Sequence, residues 1–322
     1  MSIHEDDHTG FDRPRKRSRP RTKDRPDYSS KPEARVVSID RGRYRCLLDG
    51  RIVTAVRGRL IARKGIIVGD RVRLDGDTSA EEGTLARVVE VLDRSTMLRR
   101  SADDADTFER PIVANADQLF IVTALADPPP RVGMIDRILV AAYDAGIEPM
   151  LCLTKADLAS PDELRAAYEP LGVPILVTEP GSDLADVVDI LTDHVTVFVG
   201  HSGVGKSTLV NRLVPDANRA TAEVSELTGK GRHTSTSALA MELPDGGWII
   251  DTPGVRSFGI SHVRPESILG AFPDLAEYAE DCPRGCRHQT GALDCALDEA
   301  VADGRLTEER LASFRRMERA FS

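Results

Sequence analysis

The chain has 322 residues and a formal net charge of −9 at pH 7, and 41% of its residues are hydrophobic and 30% are charged. This length predicts two or three domains, and the negative charge excludes a protein that coats nucleic acid over its whole surface. No apolar run reaches the roughly 20 residues that span a bilayer. The polar opening MSIHEDDHTG is unlike a secretory signal, so we expect a cytoplasmic protein with no membrane partner.

Residues 1–33 are predicted to form a disordered basic arm. From position 13 to position 25 every charged side chain except Asp24 is cationic, and prolines interrupt the segment without apolar periodicity. Such a composition is typical of disorder. The arm is either a solvated tail or a segment that neutralises phosphates, and its composition leaves both interpretations open.

Residues 34–98 are predicted to form a small β-barrel of the OB type. Five short segments are separated by glycine and Asp-Gly turns, with no long helical pattern between them: RVVSID, YRCLLDG, RIVTAVRG, VGDRVRLDG and LARVVEVLD. The basic residues of their loops are Arg41, Arg43, Arg57, Arg59, Arg63 and Lys64. OB barrels often bind oligonucleotides, so this unit is either an RNA-binding module or a structural adaptor.

Residues 110–265 change to apolar strands that alternate with helical segments. The strand candidates are 119–124, 149–153, 173–177, 195–199 and 247–250. The helix candidates are 133–146, 161–169, 183–193 and 206–214. Continuous apolar strands that alternate with helices indicate a parallel sheet covered on both faces.

The segment GHSGVGKS matches the phosphate-binding pattern G-x-x-x-x-G-K-[ST], and it follows the strand VTVFV and opens a helix. Its glycines allow backbone N–H groups to surround phosphate at the positive end of that helix. Lys206 can reach the β- and γ-phosphates and act in catalysis, and Ser207 can bind Mg²⁺. The nucleotide-binding residues predicted here are Gly200, His201, Ser202, Gly203, Val204, Gly205, Lys206, Ser207 and Thr208.

Two further motifs follow predicted strands. The segment DTPG places Asp251 where it can support Mg²⁺, and Gly254 where its N–H can sense the γ-phosphate. The segment TKAD, which includes Thr154 and Lys155, is related to the Asn-Lys-x-Asp motif that selects guanine. Asp157 is the residue predicted to favour GTP over ATP, because its carboxylate can accept from the N1 and N2 donors of guanine. Since a hydroxyl replaces the usual amide at Thr154, any support of the loop from this position must come from that hydroxyl.

The order of these motifs is unusual. TKAD precedes the phosphate-binding loop, whereas ordinary GTPases place the guanine motif after DTPG. A parallel sheet tolerates this order if the original termini are joined and the chain is opened elsewhere. The sequence therefore predicts a circularly permuted domain, in which the segment after DTPG leads directly into the C-terminal module.

A glycine-rich segment, 229–236, lies between the phosphate-binding loop and DTPG. Either Thr234 or Ser235 is expected to join Mg²⁺ when GTP is bound, and the spacing does not choose between them. His233 either positions the attacking water or is only an exposed loop residue. Val255 occupies the position of the water-orienting glutamine of Ras-type enzymes, so we expect slow intrinsic hydrolysis.

The last segment, 266–322, is predicted to be a small helical module with one structural zinc ion. Three of the five cysteines cluster with a histidine, and the proposed zinc ligands are Cys282, Cys286, His288 and Cys295. Three thiolates and one imidazole suit a closed tetrahedral site. The alternative is a loop of unligated cysteines.

Arginines near this cluster form either a basic contact surface or a solvated one: Arg284, Arg287, Arg305, Arg315, Arg316 and Arg319.

The combined order of barrel, TKAD, GHSGVGKS, KGRHTST, DTPGVRSFG and Cys-Cys-His-Cys cluster resembles the RsgA family of circularly permuted GTPases, over roughly residues 35–318. The resemblance implies three parts: an OB-type β-barrel, a permuted α/β P-loop domain and a helical zinc module. It also implies a GTPase that binds GTP and GDP, and that hydrolyses GTP faster on the small (30S) ribosomal subunit, late in the maturation of that subunit. By the same resemblance, His233 takes part in hydrolysis and ribosomal RNA is a partner.

Some residues depart from the family pattern. Thr154 stands for asparagine, Ser235 interrupts a threonine run, and the loop expected to contact the base edge is reduced to residues 177–179. The spacing of the cysteines is also altered. None of these departures removes a predicted phosphate or metal ligand.

Two other functions remain open from the sequence. One is an RNA-binding assembly factor in which the nucleotide only sets affinity, and the other is a P-loop protein that uses ATP. Stimulated GTP hydrolysis separates the first from an enzyme, and nucleotide competition separates the second. We expect a monomer in every case.

Overall fold

The computed structural model describes residues 26–62, 65–101, 109–215, 238–254, 258–263, 268–270 and 272–319. The predicted arm up to residue 25, the switch residues His233, Thr234 and Ser235, and Val255 lie outside the described residues. Within the described ranges, every helix is too short or too polar to cross a bilayer.

The N-terminal part is a closed five-stranded barrel, as predicted. Its strands are β1 (Glu33–Asp40), β2 (Arg43–Leu48), β3 (Arg51–Arg57), β4 (Arg71–Gly76) and β5 (Ala86–Val91). β1 pairs with both β2 and β4, and β3 pairs in parallel with β5, so the order 1-2-3-5-4 closes on itself. Alternate side chains point inward, and Val36, Cys46 and Leu74 are fully buried in the barrel core.

A two-stranded hairpin that the sequence did not predict follows the barrel. It consists of β6 (Met97–Arg100) and β7 (Arg110–Ala114), which pair antiparallel. Ser101, at the end of β6, donates its N–H to the carbonyl of Gly259 at 3.1 Å. The hairpin therefore contacts the segment that leaves the DTPG motif.

The central part is a six-stranded sheet. Its strands are β8 (Gln118–Ala124), β9 (Glu148–Thr154), β10 (Ile175–Val177), β11 (Val195–Gly200), β12 (Leu239–Glu242) and β13 (Trp248–Asp251). The order is β10-β9-β8-β11-β13-β12, and only β12 runs antiparallel to its neighbour. The five predicted strands are confirmed, and β12 is an addition.

Helices cover both faces of this sheet, as the apolar strands predicted. They are α1 (Val132–Asp144), α2 (Asp162–Tyr168), α3 (Ala185–Leu191) and α4 (Lys206–Leu213). Ile138 and Leu139 of α1 belong to the core on one face, whereas Leu191 of α3 and Leu209 of α4 belong to the core on the other. Every residue of β8 is buried between these two cores.

The helices whose bounds the structure describes in the C-terminal part are α5 (Pro273–Ala279), α6 (Ala296–Ala302) and α7 (Glu308–Glu318). The side chain of Thr307 caps α7 by accepting the N–H of Arg310 at 3.2 Å. Phe272 lies between Tyr143 of α1 and Phe314 of α7, with ring centroids 5.2 and 5.8 Å away. The module therefore shares its core with the central domain.

The barrel joins the central sheet at one place and packs against the end of the β6–β7 hairpin at another. Ser38 of β1 pairs with Leu239 of β12, which makes the two sheets continuous. Gly69, with φ of +90°, packs so closely that a Cβ there would lie 2.1 Å from the carbonyl oxygen of Ala114. The side-chain amide of Asn115 also donates to the carbonyl of Gly69 at 3.0 Å. Only glycine fits at position 69, so the close packing of the barrel against Ala114 and Asn115 requires this residue.

Candidate functional site

Three of the predicted motifs meet at one edge of the central sheet. Thr154 ends β9, Gly200 ends β11 and Asp251 ends β13, and all three strands are parallel. The carboxyl ends of parallel strands are where open α/β sheets bind their ligands.

The phosphate-binding loop lies between β11 and α4. Gly203 and Gly205 have φ of 87° and 88°, a conformation that other residues rarely adopt. A Cβ at Gly200 would lie 2.5 Å from the carbonyl oxygen of Val122 on the neighbouring strand. The loop therefore requires glycine at these positions. It leads into α4, with Ser207 and Thr208 exposed in the first turn.

Lys206 and Asp251, which the sequence assigned to phosphate and magnesium, are in direct contact. The Lys206 ammonium forms an ion pair with the Asp251 carboxylate and also donates to the carbonyl of Thr252. The lysine is only 7% exposed. The Thr252 hydroxyl in turn donates to the carbonyl of Phe198 on β11 at 2.7 Å, which ties the DTPG motif to the strand before the phosphate-binding loop.

Gly254 of the DTPG motif packs against the phosphate-binding loop. A Cβ at this position would lie 3.3 Å from the backbone nitrogen of Ser202. His201 turns its Nδ1 toward the Ser202 carbonyl at 2.8 Å. Gly254 thus lies against the part of the loop that follows Gly200.

The TKAD motif contacts the same loop. The Thr154 hydroxyl donates to the carbonyl of Val204 at 2.6 Å, so a hydroxyl does support the loop at the position where related motifs carry an amide. The Lys155 ammonium donates to the carbonyl of Asp127. Asp157 is exposed, so its carboxylate is accessible to a base. Asp127 was not predicted, because a backbone carbonyl leaves no signal in the sequence.

The short loop 177–179 packs beneath the TKAD motif. The carbonyl of Thr178 accepts the N–H of Ala156 at 3.2 Å, and Thr178 is buried while Glu179 is exposed. The loop therefore supports the TKAD motif through its backbone.

The four predicted metal ligands come together in the C-terminal part. The Sγ atoms of Cys282, Cys286 and Cys295 lie 3.5, 3.7 and 3.9 Å from Nδ1 of His288. In a tetrahedral zinc site with ordinary bond lengths, a sulfur and a nitrogen ligand are about 3.5 Å apart. All four donor atoms lie within 4.8 Å of one another, so these residues fit a single metal ion.

Backbone groups and one arginine hold this cluster in place. The N–H groups of His288 and Ala296 donate to the sulfurs of Cys286 and Cys282 at 3.4 and 3.3 Å. Arg315 of α7 donates to the carbonyl of His288 at 2.7 Å. Burial, together with the Arg315 charge, lowers the pKa of His288, which favours the neutral imidazole that binds metals.

Two of the arginines considered for a contact surface make internal contacts. Arg315 forms a bidentate pair with Asp298 at 2.8 and 2.7 Å. Arg316 stacks over the ring of Tyr168 at 4.7 Å and donates to the carbonyl of Ala167 at 2.9 Å. The interpretation of these two side chains as surface charges is therefore wrong.

Removal of the metal should loosen the C-terminal part and leave nucleotide binding intact. We expect a chelator that is selective for soft divalent ions over magnesium to expose residues 282–295 to limited proteolysis, because the cluster closes this loop. Affinity for a fluorescent GDP analogue should change less than about two-fold. An identical digestion pattern with and without the chelator would contradict a structural metal.

Comparison with known proteins agrees with this geometry. Residues 91–261 match the family described as RsgA GTPase. A small ribosomal subunit biogenesis GTPase RsgA 1 of Vibrio vulnificus is 37% identical over 276 residues, which cover 82% of this chain and 77% of the relative. The small ribosomal subunit biogenesis GTPase RsgA of Azotobacter vinelandii is 43% identical over 215 residues, or 64% and 62% of the two chains.

Two solved structures share the architecture. The circularly permuted GTPase YloQ matches with a TM-score of 0.64 and 26% identity, over 91% of this chain and 96% of that chain. YjeQ from Thermotoga maritima matches with a TM-score of 0.67 and 26% identity, over 90% and 98%. With TKAD, the phosphate-binding loop and DTPG in permuted order at one sheet edge, the chain belongs to the RsgA family of circularly permuted GTPases.

Proposed function

We propose that this chain hydrolyses GTP to GDP and phosphate in a reaction accelerated by the small ribosomal subunit, and that this reaction serves a late step in the maturation of the subunit. The contact of three separate motifs at one sheet edge carries the proposal: Lys206 contacts Asp251, and Thr154 contacts Val204. The names of the relatives from Vibrio vulnificus and Azotobacter vinelandii support the ribosomal partner.

The residues of the nucleotide site that contact guanine, phosphate, magnesium or water have proposed roles. Asp157 accepts the donors of guanine, Lys206 binds the β- and γ-phosphates, and Gly254 senses the γ-phosphate. Ser207 and Asp251 would hold Mg²⁺, which neutralises the charge on the phosphates. We propose that His233 positions the attacking water and that Thr234 or Ser235 completes the magnesium site.

The barrel is proposed to bind ribosomal RNA on its β2–β3 side. On β4, Arg71 is paired with Glu33 and Arg73 with Glu90, so their charges are compensated. Arg43 and Arg51, at the starts of β2 and β3, are exposed, and neither has a described acidic partner. This side corresponds to the usual oligonucleotide face of OB folds.

The ion held by the cysteine cluster is proposed to be zinc, because three thiolates and an imidazole match its preferred ligands. With every ligand supplied by the protein, the ion would act as a structural link. We also propose the division into an arm (1–33), a barrel (34–98), a GTPase domain (110–265) and a zinc module (266–322).

Multiple-turnover hydrolysis with and without purified small subunits tests the proposed function. We expect slow hydrolysis by the protein alone, since Val255 cannot orient water, and at least about ten-fold acceleration by small subunits. Large subunits at the same concentration are the control. GTP-dependent binding to small subunits without acceleration would favour the RNA-binding assembly factor instead.

A further inference from the structure

The single tryptophan of the chain lies where the barrel meets the central sheet. Trp248 begins β13, and the guanidinium of Arg35, on β1 of the barrel, lies 5.1 Å from its ring centroid. Burial lowers the pKa of Arg35, whereas the carboxylates of Asp117 and Glu242 on the GTPase side act to raise it. The arginine is therefore a half-buried cation that stacks on an aromatic ring of the other domain, with two carboxylates of that domain near enough to act on its charge.

The same strand ends in the nucleotide site. β13 runs only from Trp248 to Asp251, so two residues, Ile249 and Ile250, separate the barrel contact from the carboxylate that pairs with Lys206. Leu239 of β12 lies opposite Asp251 on one side and opposite Ser38 of β1 on the other. Backbone pairing thus connects Asp251 to the barrel by a second route.

These contacts are suited to transmit movement. When nucleotide binds as proposed, Lys206 turns to the phosphates and Asp251 to the magnesium, so their mutual contact must change. β13 is paired with β11 on one side and β12 on the other, so a shift at Asp251 displaces a rigid element rather than a loop. Arg35 touches the opposite end of that element.

We propose that β12 and β13 couple the nucleotide site to the barrel. Arg35 is the positioning residue, because its contact with the Trp248 ring passes a shift of β13 to the barrel. This inference rests on the proposed function, since it gives the route by which a ligand on the barrel accelerates hydrolysis. Coupling between two binding sites is reciprocal in affinity, so if it runs through β12 and β13 the bound nucleotide also changes the surroundings of Arg35.

The test uses the full chain and the variant Arg35→Met, which keeps the length of the side chain but removes its charge. Arg87→Met is the matched control, because Arg87 is an exposed arginine on β5 of the same barrel. Arg35→Lys keeps a cation beside the ring and should restore function in part. Trp248 emission is compared between GDP and a non-hydrolysable GTP analogue, and hydrolysis is measured alone and with saturating small subunits.

We expect the wild type and Arg87→Met to change their Trp248 emission between the two nucleotides. Arg35→Met should lose most of this change, and small subunits should stimulate its hydrolysis at least about five-fold less than that of the wild type. A five-fold effect is at the lower end of typical allosteric coupling. Its unstimulated rate and nucleotide affinity should stay within about two-fold of the wild type. The unstimulated rate and the nucleotide affinity also show whether the variant is folded.

Two outcomes overturn the coupling: equal stimulation of Arg35→Met and wild type, or no difference in wild-type Trp248 emission between the two nucleotides. Failure of the proposed function is distinct, because it appears as a wild type that small subunits do not stimulate while its emission still responds to the nucleotide. If Arg35→Met binds nucleotide poorly, stimulation of Arg35→Lys decides the question, and a value equal to that of the wild type again overturns the coupling.

Discussion

Replacing Lys206 with alanine is expected to abolish GTP binding and hydrolysis. The ammonium is the only side-chain cation that the structure places within the described part of the phosphate-binding loop, and it is nearly buried against Asp251. A hydrogen bond to a charged group contributes about 1.5–3 kcal/mol. Loss of such contacts to two phosphates should weaken binding at least about 100-fold. Titration with a fluorescent GTP analogue measures the change.

The control for this substitution lies on the same helix. Arg212, near the end of α4, donates to the carbonyl of Ser182 on the surface, away from the loop. Arg212→Ala removes the same charge from the same helix and should leave GTP binding within about two-fold. If Lys206→Ala also binds GTP normally, the phosphate site is not at this loop.

Replacing Asp157 with asparagine is expected to remove the preference for guanine. The carboxylate is exposed three residues after Thr154, which contacts the phosphate-binding loop, and an amide presents a donor where guanine also presents donors. Two hydrogen bonds to a charged acceptor are lost, so GTP affinity should fall at least about 100-fold. Xanthosine triphosphate has a carbonyl in place of the guanine amino group, and it should therefore bind the variant better than GTP does. Competition among GTP, ATP and xanthosine triphosphate measures this preference.

Asp162, exposed in the first turn of α2, is the matched carboxylate for the control variant Asp162→Asn. The Asp162→Asn variant should keep the nucleotide preference of the wild type. A wild type from which ATP displaces GTP as effectively as GTP itself would show that Asp157 does not select the base, and would favour the ATP-using alternative.

The elements that the sequence predicted well are those in which burial or backbone conformation restricts the residue type at every position in the same way. β8 and β9 are apolar almost throughout because both faces of the strand are covered, and this pattern is visible without coordinates. The glycines of the phosphate-binding loop were identifiable for a similar reason. Gly203 and Gly205 need a backbone conformation that few other residues adopt, so chemistry and geometry restrict the same positions.

The elements that were missed have mixed environments. β6 and β7, with the sequences MLRR and RPIVA, are partly exposed and carry arginines, so their apolar pattern is weak. β12 has only four residues and obtains its place from pairing with β13 and β1. Tertiary contacts, rather than local preference, determine such strands.

The arginines of α7 show a different limit. Arg315 and Arg316 look like surface residues in the sequence, since arginine is rarely buried without a partner. Their partners, Asp298 and the carbonyl of Ala167, lie 17 and 149 residues away in the chain. The first contact depends on the packing of α7 against α6 and the second on the docking of α7 on the central domain, and composition encodes neither.

The pairing of Ser38 with Leu239 also has a consequence for solubility. β12 is the outermost strand on its side of the central sheet, and an uncovered outer strand offers unpaired N–H and C=O groups to other molecules. β1 of the barrel covers the beginning of this strand. The barrel thus leaves fewer backbone groups of this edge open to pairing with another molecule, an effect that does not depend on any contact with RNA.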